Sequence, residues 1–293
     1  MDQAQQLRNI IKAGNTTYNR PLARIITVTS GKGGVGKSNT AINLAIQFRK
    51  EGKRVIILDA DFGLANIEIM FGAVPKHNLS DLIYQGKSMK EIITWGPMEV
   101  GFISGGSGIA GLSNLGREHL NCIIKNLSEL DTIADVVIID TAAGIADAVL
   151  EFLVASGEIL LVTTPEPTSI TDSYSLLKAL SGHPRFSGQA TQVKMIANKV
   201  GSKEEGKMLY DKLNVVVSRY LQVPFSYLGA VPQDLELSKA VMRQMPVSMQ
   251  APSSRAAQAY EELAAKLLNK EAEQSVAKRG MAAFFSHMIS GKR

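Results

Sequence analysis

The run Gly31-Lys32-Gly33-Gly34-Val35-Gly36-Lys37-Ser38 fills every slot of a phosphate-binding loop and adds a second lysine near its start. Its glycines let successive backbone N–H groups converge on an anion with no Cβ in the way. Lys37 can reach the β and γ phosphates of a bound nucleoside triphosphate, and Ser38 offers a hydroxyl to Mg²⁺. The flanks agree with that reading. Residues 23–30, Ala-Arg-Ile-Ile-Thr-Val-Thr-Ser, are apolar and β-branched enough for a buried parallel strand, and Ala41, Leu44, Ala45 and Phe48 recur at helical spacing after Ser38. Strand, glycine loop and helix follow in the required order, so the helix N-terminus points its free amides at the phosphates. A glycine-rich turn with a surface lysine is the alternative.

Working outward, Arg54 to Asp59 and Val136 to Asp140 read as two more buried strands, each ending in an aspartate. Further strands are expected at 159–164, 193–198, 227–231 and 100–104, with helical patterns near 117–129, 145–155, 168–180, 203–220 and 254–268. This alternation predicts an α/β fold, a mostly parallel twisted sheet with helices on both faces and ligand groups at the carboxyl ends of the strands. The expected organisation is a short partner-binding segment over 1–21, one nucleotide-binding domain over 22–270 and a C-terminal amphipathic helix over 271–293.

The chain has 293 residues, 45% hydrophobic and 20% charged, an ordinary globular composition. One cysteine, Cys122, excludes an intramolecular disulfide or a multi-thiolate iron–sulfur site within one chain. The polar start and the lack of a long apolar run predict a cytoplasmic protein. The net charge of +5 lies in the tails. Residues 1–24 carry Arg8, Lys12, Arg20 and Arg24 against Asp2, and residues 278–293 carry Lys278, Arg279, Lys292 and Arg293 with no acid. The remainder holds 24 of the 32 basic and 26 of the 27 acidic groups, a net −2. Direct binding to nucleic acid is therefore not expected, because the folded region lacks an excess of cations.

Hydrolysis of a γ-phosphate needs a held metal, a positioned water and cations facing the developing charge. Asp140 stands where a carboxylate should emerge beside the phosphate loop to hold Mg²⁺, directly or through water, together with Ser38. Of the pair Asp59 and Asp61, Asp61 is expected to position the water and Asp59 to serve the outer metal sphere. Lys32 is either a solvated lysine or a charge delivered to the phosphates of a facing subunit. His77, His119, His183 and His287 show no ligand spacing, and Trp95 and Met98 read as core or loop packing.

These motifs, with Leu58-Asp59-Ala60-Asp61 and Ile139-Asp140-Thr141-Ala142-Ala143-Gly144, resemble the deviant-Walker ATPases of the MinD/ParA group over residues 22–270. The resemblance implies ATP and Mg²⁺ as ligands and an ATP-bridged homodimer in which Lys32 acts across the interface. It also implies adenine contacts from Asn198, Pro232, Gln233 and Asp234; Asn39, following Ser38, departs from the hydroxyl residue often found there. Within the group, Asp2-Gln3-Ala4-Gln5-Gln6-Leu7-Arg8 and Thr164-Pro165-Glu166-Pro167-Thr168-Ser169-Ile170-Thr171-Asp172 resemble the flagellar-number subfamily known as FlhG, FleN or YlxH. That likeness implies an FlhF-type GTPase as partner, engaged through Asp2, Gln3, Ala4, Leu7 and Arg8, besides a flagellar transcription activator and basal-body switch proteins. A ParA-type DNA-partitioning ATPase and a nucleotide-gated scaffold without turnover remain as alternatives.

Near the C-terminus, Met281, Phe284, Phe285, Met288 and Ile289 fall at i, i+3, i+4, i+7 and i+8, one helical stripe bracketed by bases. The stripe suits an anionic membrane interface, which predicts reversible peripheral attachment to the inner face of the cell membrane. Docking on the protein's own sheet or on a partner is the other reading.

Overall fold

The computed structural model describes residues 22–61, 66–105, 126–269 and 280–289, the side chain of Ile289 excepted. The strands are β1 (Arg24–Thr29), β2 (Val55–Ala60), β3 (Thr94–Trp95), β4 (Gly101–Ser104), β5 (Val136–Thr141), β6 (Glu158–Thr163), β7 (Gln192–Val200) and β8 (Phe225–Pro232). The helices are α1 (Lys37–Lys50), α2 (Asn66–Phe71), α3 (Leu79–Tyr84), α4 (Met89–Ile92), α5 (Leu130–Ile133), α6 (Asp147–Ala155) and α7 (Pro167–Ser181), followed by α8 (Lys203–Tyr220), α9 (Leu235–Met242), α10 (Val247–Gln250), α11 (Arg255–Leu268) and α12 (Gly280–Ile289).

The strands form one sheet in the order β3-β4-β2-β5-β1-β6-β7-β8, parallel throughout except for β3 against β4. Alternation across the pleat assigns the core. Ile26 and Val28 of β1, with Val136 and Ile138 of β5, face α1 and α11. Their neighbours Ile25, Val137 and Ile139 face the opposite cover, which includes Phe152 of α6 and the side chains of α12. Beyond β6, α7 and α8 cover that same side with Leu176, Leu177, Leu180, Leu209 and Leu213.

Every strand expected from the sequence is present, as are the helices over 145–155, 168–180, 203–220 and 254–268. The helix expected over 117–129 falls mostly outside the described residues. The antiparallel edge strand β3, the short helices α2, α3 and α4, and α9 with α10 were not expected. Trp95 sits on that edge with 57% of its surface exposed, its ring packed over Gly101. Of the two readings of Trp95, core or loop packing, core packing does not hold: among the described residues β3 is the last strand of the sheet, and the ring lies at its open edge.

Four residues of the apolar stripe near the C-terminus are turned inward; the side chain of the fifth, Ile289, lies outside the described residues. Met281, Phe284, Phe285 and Met288 are 0%, 1%, 0% and 8% exposed, in one cluster with Leu127, Leu130 and Phe152. Phe284 packs 6.2 Å from the Phe152 ring and 5.2 Å, edge to face, from Phe285. In this conformation the stripe covers the protein's own sheet and is not available to a membrane, because burial against α6 satisfies the apolar surface that would otherwise seek lipid. Both ends of α12 are met by side chains. The Met281 amide donates to both Asp131 oxygens at 3.0 and 3.1 Å, and Arg185 donates to the His287 carbonyl at 2.6 Å while paired with Glu151.

Candidate nucleotide site

The site forms where β1, β5 and β2 end side by side. Val28 pairs with Asp140, and Asp59 with Asp140, so parallel register alone brings the two aspartates together at one edge beside the phosphate loop. Gly31 opens that loop, and a Cβ there would overlap the Asp172 backbone in α7. Gly34 and Gly36 adopt φ of 76° and 95°, a region that glycine enters freely. At Gly33 and Gly34 a Cβ would meet nothing within 4 Å, which leaves the mouth of the loop open.

Lys37, in the first turn of α1, is buried; its Nζ donates to Asp140 Oδ1 at 3.1 Å and to Ser38 Oγ at 3.4 Å. The other oxygen, Asp140 Oδ2, is buried without a hydrogen-bond partner among the described residues. Burial pushes the Asp140 carboxyl up, opposed by Lys37 and Ser38. Burial and the nearby Asp140 charge push Asp59 up to about 7, although it accepts from the amides of Asp61 at 3.1 Å and Ile67 at 3.4 Å. Two neighbouring buried carboxylates, of which Asp140 is paired with the Lys37 ammonium, make a region short of positive charge. Asp61 is half-buried and accepts from Asn66 Nδ2 at 3.2 Å.

Lys32 behaves differently from Lys37. Its Nζ stands on the open side, held by Glu166 Oε2 and Thr168 Oγ1, each at 2.8 Å. Its side chain is 36% exposed and that of Glu166 57%. The Lys32 ammonium holds the Glu166 carboxyl below its ordinary range. Glu166 and Thr168 belong to the phrase beginning at Thr164, which the sequence singled out by likeness alone; the helix start they share, with Pro167 opening α7, could have suggested that they face the loop.

Asn198 is buried near the end of β7 with its Nδ2 given to the Val35 carbonyl at 2.7 Å and its Oδ1 without a partner among the described residues. Pro232 closes β8, and Gln233 follows with its amide on the Val200 carbonyl at 2.8 Å. Asp234 is committed elsewhere: its carboxylate accepts from the amides of Glu236 and Ala256, both at 2.9 Å, capping α9 and tying it to α11. Its side chain is therefore a structural cap, a role that the family-level expectation of a base contact did not contain. Asn39 lies half-buried in the first turn of α1. The segment holding Asp2, Gln3, Ala4, Leu7 and Arg8 lies outside the described residues, as do Cys122 and His119.

Residues 21–268 match the ParA family described as NUBPL iron-transfer P-loop NTPase. The chain belongs to the ParA family of P-loop NTPases. Antiactivator FleN of Pseudomonas aeruginosa is 39% identical over 244 residues, covering 83% of this chain and 86% of its own length. Flagellum site-determining protein YlxH of Helicobacter pylori is 31% identical, with 98% of each chain covered. In fold, the chain superposes on MinD from Pyrococcus horikoshii, solved with Mg-ADP, at a TM-score of 0.66 and 22% identity, over 87% of this chain and 99% of that one.

As a P-loop ATPase of the MinD/ParA kind, the molecule fits Mg²⁺ and nucleotide with residues already described. Asp140 keeps one buried oxygen, Oδ2, without a partner among the described residues, and its carboxyl is in reach of the Ser38 hydroxyl. One or two carboxylates plus substrate phosphates is how Mg²⁺ is ordinarily held. When bound, Mg²⁺ would neutralise phosphate charge there. Lys37, paired with Asp140, and the amides of the loop are the groups that would meet the phosphate oxygens of a bound nucleotide. The iron transfer in the family description finds no thiolate pair here, since the sequence holds a single cysteine.

Proposed function

We propose that this chain is an ATP-driven dimer switch that regulates flagellar number or placement. The observation that carries the switch is the division between its two loop lysines. Lys37 serves the phosphates from inside the fold, whereas Lys32 stands at the exposed rim with its ammonium on Glu166 and Thr168. A second ammonium at the rim is suited to the phosphates of a facing copy, where charge developing in the transition state would meet it. Asp61 positions the attacking water in this reading, and Asn198, Pro232 and Gln233 border the base, with the unmet Asn198 Oδ1 suited to the exocyclic amine of adenine. The flagellar assignment draws on the names of the relatives FleN and YlxH.

In the same proposal, α12 leaves its groove to bind an anionic membrane, and two helices on one ATP-held dimer bind by avidity. Asp2, Gln3, Ala4, Leu7 and Arg8 engage an FlhF-type GTPase, and the nucleotide state is read by a flagellar transcription activator or by basal-body switch proteins.

Size-exclusion chromatography with Mg-ATP tests the switch on wild type, Asp61→Ala and Lys32→Ala. Asp61→Ala is expected to elute as a dimer with ATP and as a monomer with ADP, and Lys32→Ala to stay monomeric. An Asp61→Ala protein saturated with ATP yet monomeric sinks the proposal. For the membrane arm, sedimentation with anionic vesicles should be stronger with ATP than with ADP.

A further inference from the structure

Two neighbouring residues of β7 reach the same loop, although consecutive side chains of a regular strand leave on opposite faces. Asn198 Nδ2 donates to the Val35 carbonyl at 2.7 Å, and Lys199 Nζ to the Gly34 carbonyl at 2.8 Å. The register between β7 and β8 slips between Asn198 and Val200, and Lys199 stands in that irregularity with φ of 57°, which lysine rarely adopts. A bulge beside a site re-aims a side chain. Here it turns an exposed lysine back toward the loop that its buried neighbour already holds. The next carbonyl, Gly36, accepts from the Thr40 hydroxyl at 2.9 Å and the Thr40 amide at 3.0 Å.

Three successive carbonyls of the loop are thus held from behind. In a planar trans peptide the carbonyl of one residue points opposite to the N–H of the next. Holding Gly34, Val35 and Gly36 by their oxygens therefore turns the N–H groups of Val35, Gly36 and Lys37 away from those donors. A cradle for phosphate needs its amides so arranged. Asn198 also lies against Gly36, where a Cβ would overlap its Nδ2.

We propose that Asn198 and Lys199 are positioning residues of the phosphate loop. By gripping the Val35 and Gly34 carbonyls they set the amides that receive the phosphates of a nucleotide, whatever its base. This assigns Lys199 a role and gives the Nδ2 end of Asn198 a task separate from any contact of its Oδ1 with a base.

Calorimetric titration of the full chain with Mg-ATP, Mg-ADP and Mg-GTP tests the pair. Lys199→Gly removes the ammonium while relieving the positive φ, so the nucleotide-free variant should melt no lower than wild type. Lys199→Gly and Lys199→Met are expected to lose about ten-fold in affinity for all three nucleotides by a common factor. Lys199→Arg, which keeps a donor, should recover most of that loss. Asn198→Asp, which sets an acceptor against the Val35 carbonyl, should weaken ATP and ADP alike. Wild-type affinity in Lys199→Gly overturns the proposal, and so does a changed ATP-to-GTP ratio in the Lys199 variants, which would assign Lys199 to the base. Wild type binding no nucleotide would overturn the loop's own assignment, a failure distinct from an unchanged variant.

Discussion

The carboxyl edge around Asp140 and the groove that receives α12 are both lined by buried side chains, yet their valences are in opposite states. At the edge, Asp140 Oδ2 and Asn198 Oδ1 are buried with no partner among the described residues, and Asp59 is driven toward neutrality. In the groove, the amide at one end of α12 is met by Asp131, the carbonyls at the other by Arg185, and four large apolar side chains are covered. A buried polar atom without a partner costs about 1–3 kcal/mol, and that cost is recovered when a ligand supplies the partner. The edge thus offers buried acceptors that a bound ligand would meet. The groove is already filled by the chain itself, so any other occupant for the helix must compete with it.

Lys32 is where the largest effect is expected. If its ammonium serves a facing copy, Lys32→Ala should lower ATP-dependent turnover by about 10³-fold or more, with nucleotide affinity of the monomer nearly unchanged. Steady-state phosphate release against protein concentration checks this, and turnover that is independent of concentration and insensitive to Lys32→Ala would place all the chemistry within one copy. Glu166→Gln sharpens the test, because it frees Lys32 from an exposed ion pair without disturbing the buried edge.

Next comes the groove. Phe284→Ala removes a ring in contact with Phe152 and Phe285, and should cost about 3–5 kcal/mol if α12 unfolds with the rest of the protein. A chemical-denaturation curve reads this directly. A loss well under 1 kcal/mol, with the amides of residues 280–289 exchanging freely, would show that α12 opens on its own before global unfolding.

How much of this was legible follows from the length and locality of each signal. The phosphate loop, β1, β2, β5 and α1 could be read because continuous apolar runs and one helical period identify buried parallel strands and their cover. The stripe of α12 was legible as a stripe. What it covers was not, because a pattern of apolar residues does not distinguish lipid from the face of α6. Asp131 and Arg185 carry no local sign of their task; they meet α12 from 150 and about 100 residues away. The turn of Lys199 toward Gly34 depends on a bulge, which no period-two pattern announces. The short helices α2 to α4 span four to six residues each, too few for a periodicity to show.

A smaller effect should appear in the pH dependence of the nucleotide-free protein. Asp59 has its carboxyl raised to about 7 from an ordinary value of 3.8, so the folded state prefers it protonated. Its contribution is fully present below the unfolded value and is lost as pH rises through about 7. An isolated shift of that size carries about 4 kcal/mol, an upper limit here because Asp59 and Asp140 titrate as a pair. Asp59→Asn should therefore be more stable than wild type at pH 8, by less than about 4 kcal/mol, with the difference vanishing below about pH 4. Equal stability curves for the two proteins across this range would show that the edge is not short of positive charge. Mg-nucleotide, by supplying that charge, should flatten the wild-type dependence.

The smallest expected effect lies at the C-terminal end of α12. Arg185 donates to the His287 carbonyl, pairs with Glu151 and adds a cation where the helix dipole favours one. Arg185→Ala leaves the apolar stripe intact and removes only this clamp, for which about 1 kcal/mol is expected. Global melting should hardly move, while hydrogen exchange of residues 280–289 should quicken by about five-fold. If α12 is the membrane-binding element, the same substitution should raise sedimentation with anionic vesicles in ADP, where wild type keeps the helix docked. Faster exchange without added vesicle binding would separate the two properties, making α12 a removable cover whose release serves something other than lipid. The two regions differ in this respect too: weakening the groove exposes a surface, whereas weakening the phosphate loop leaves a surface that no longer fits its ligand.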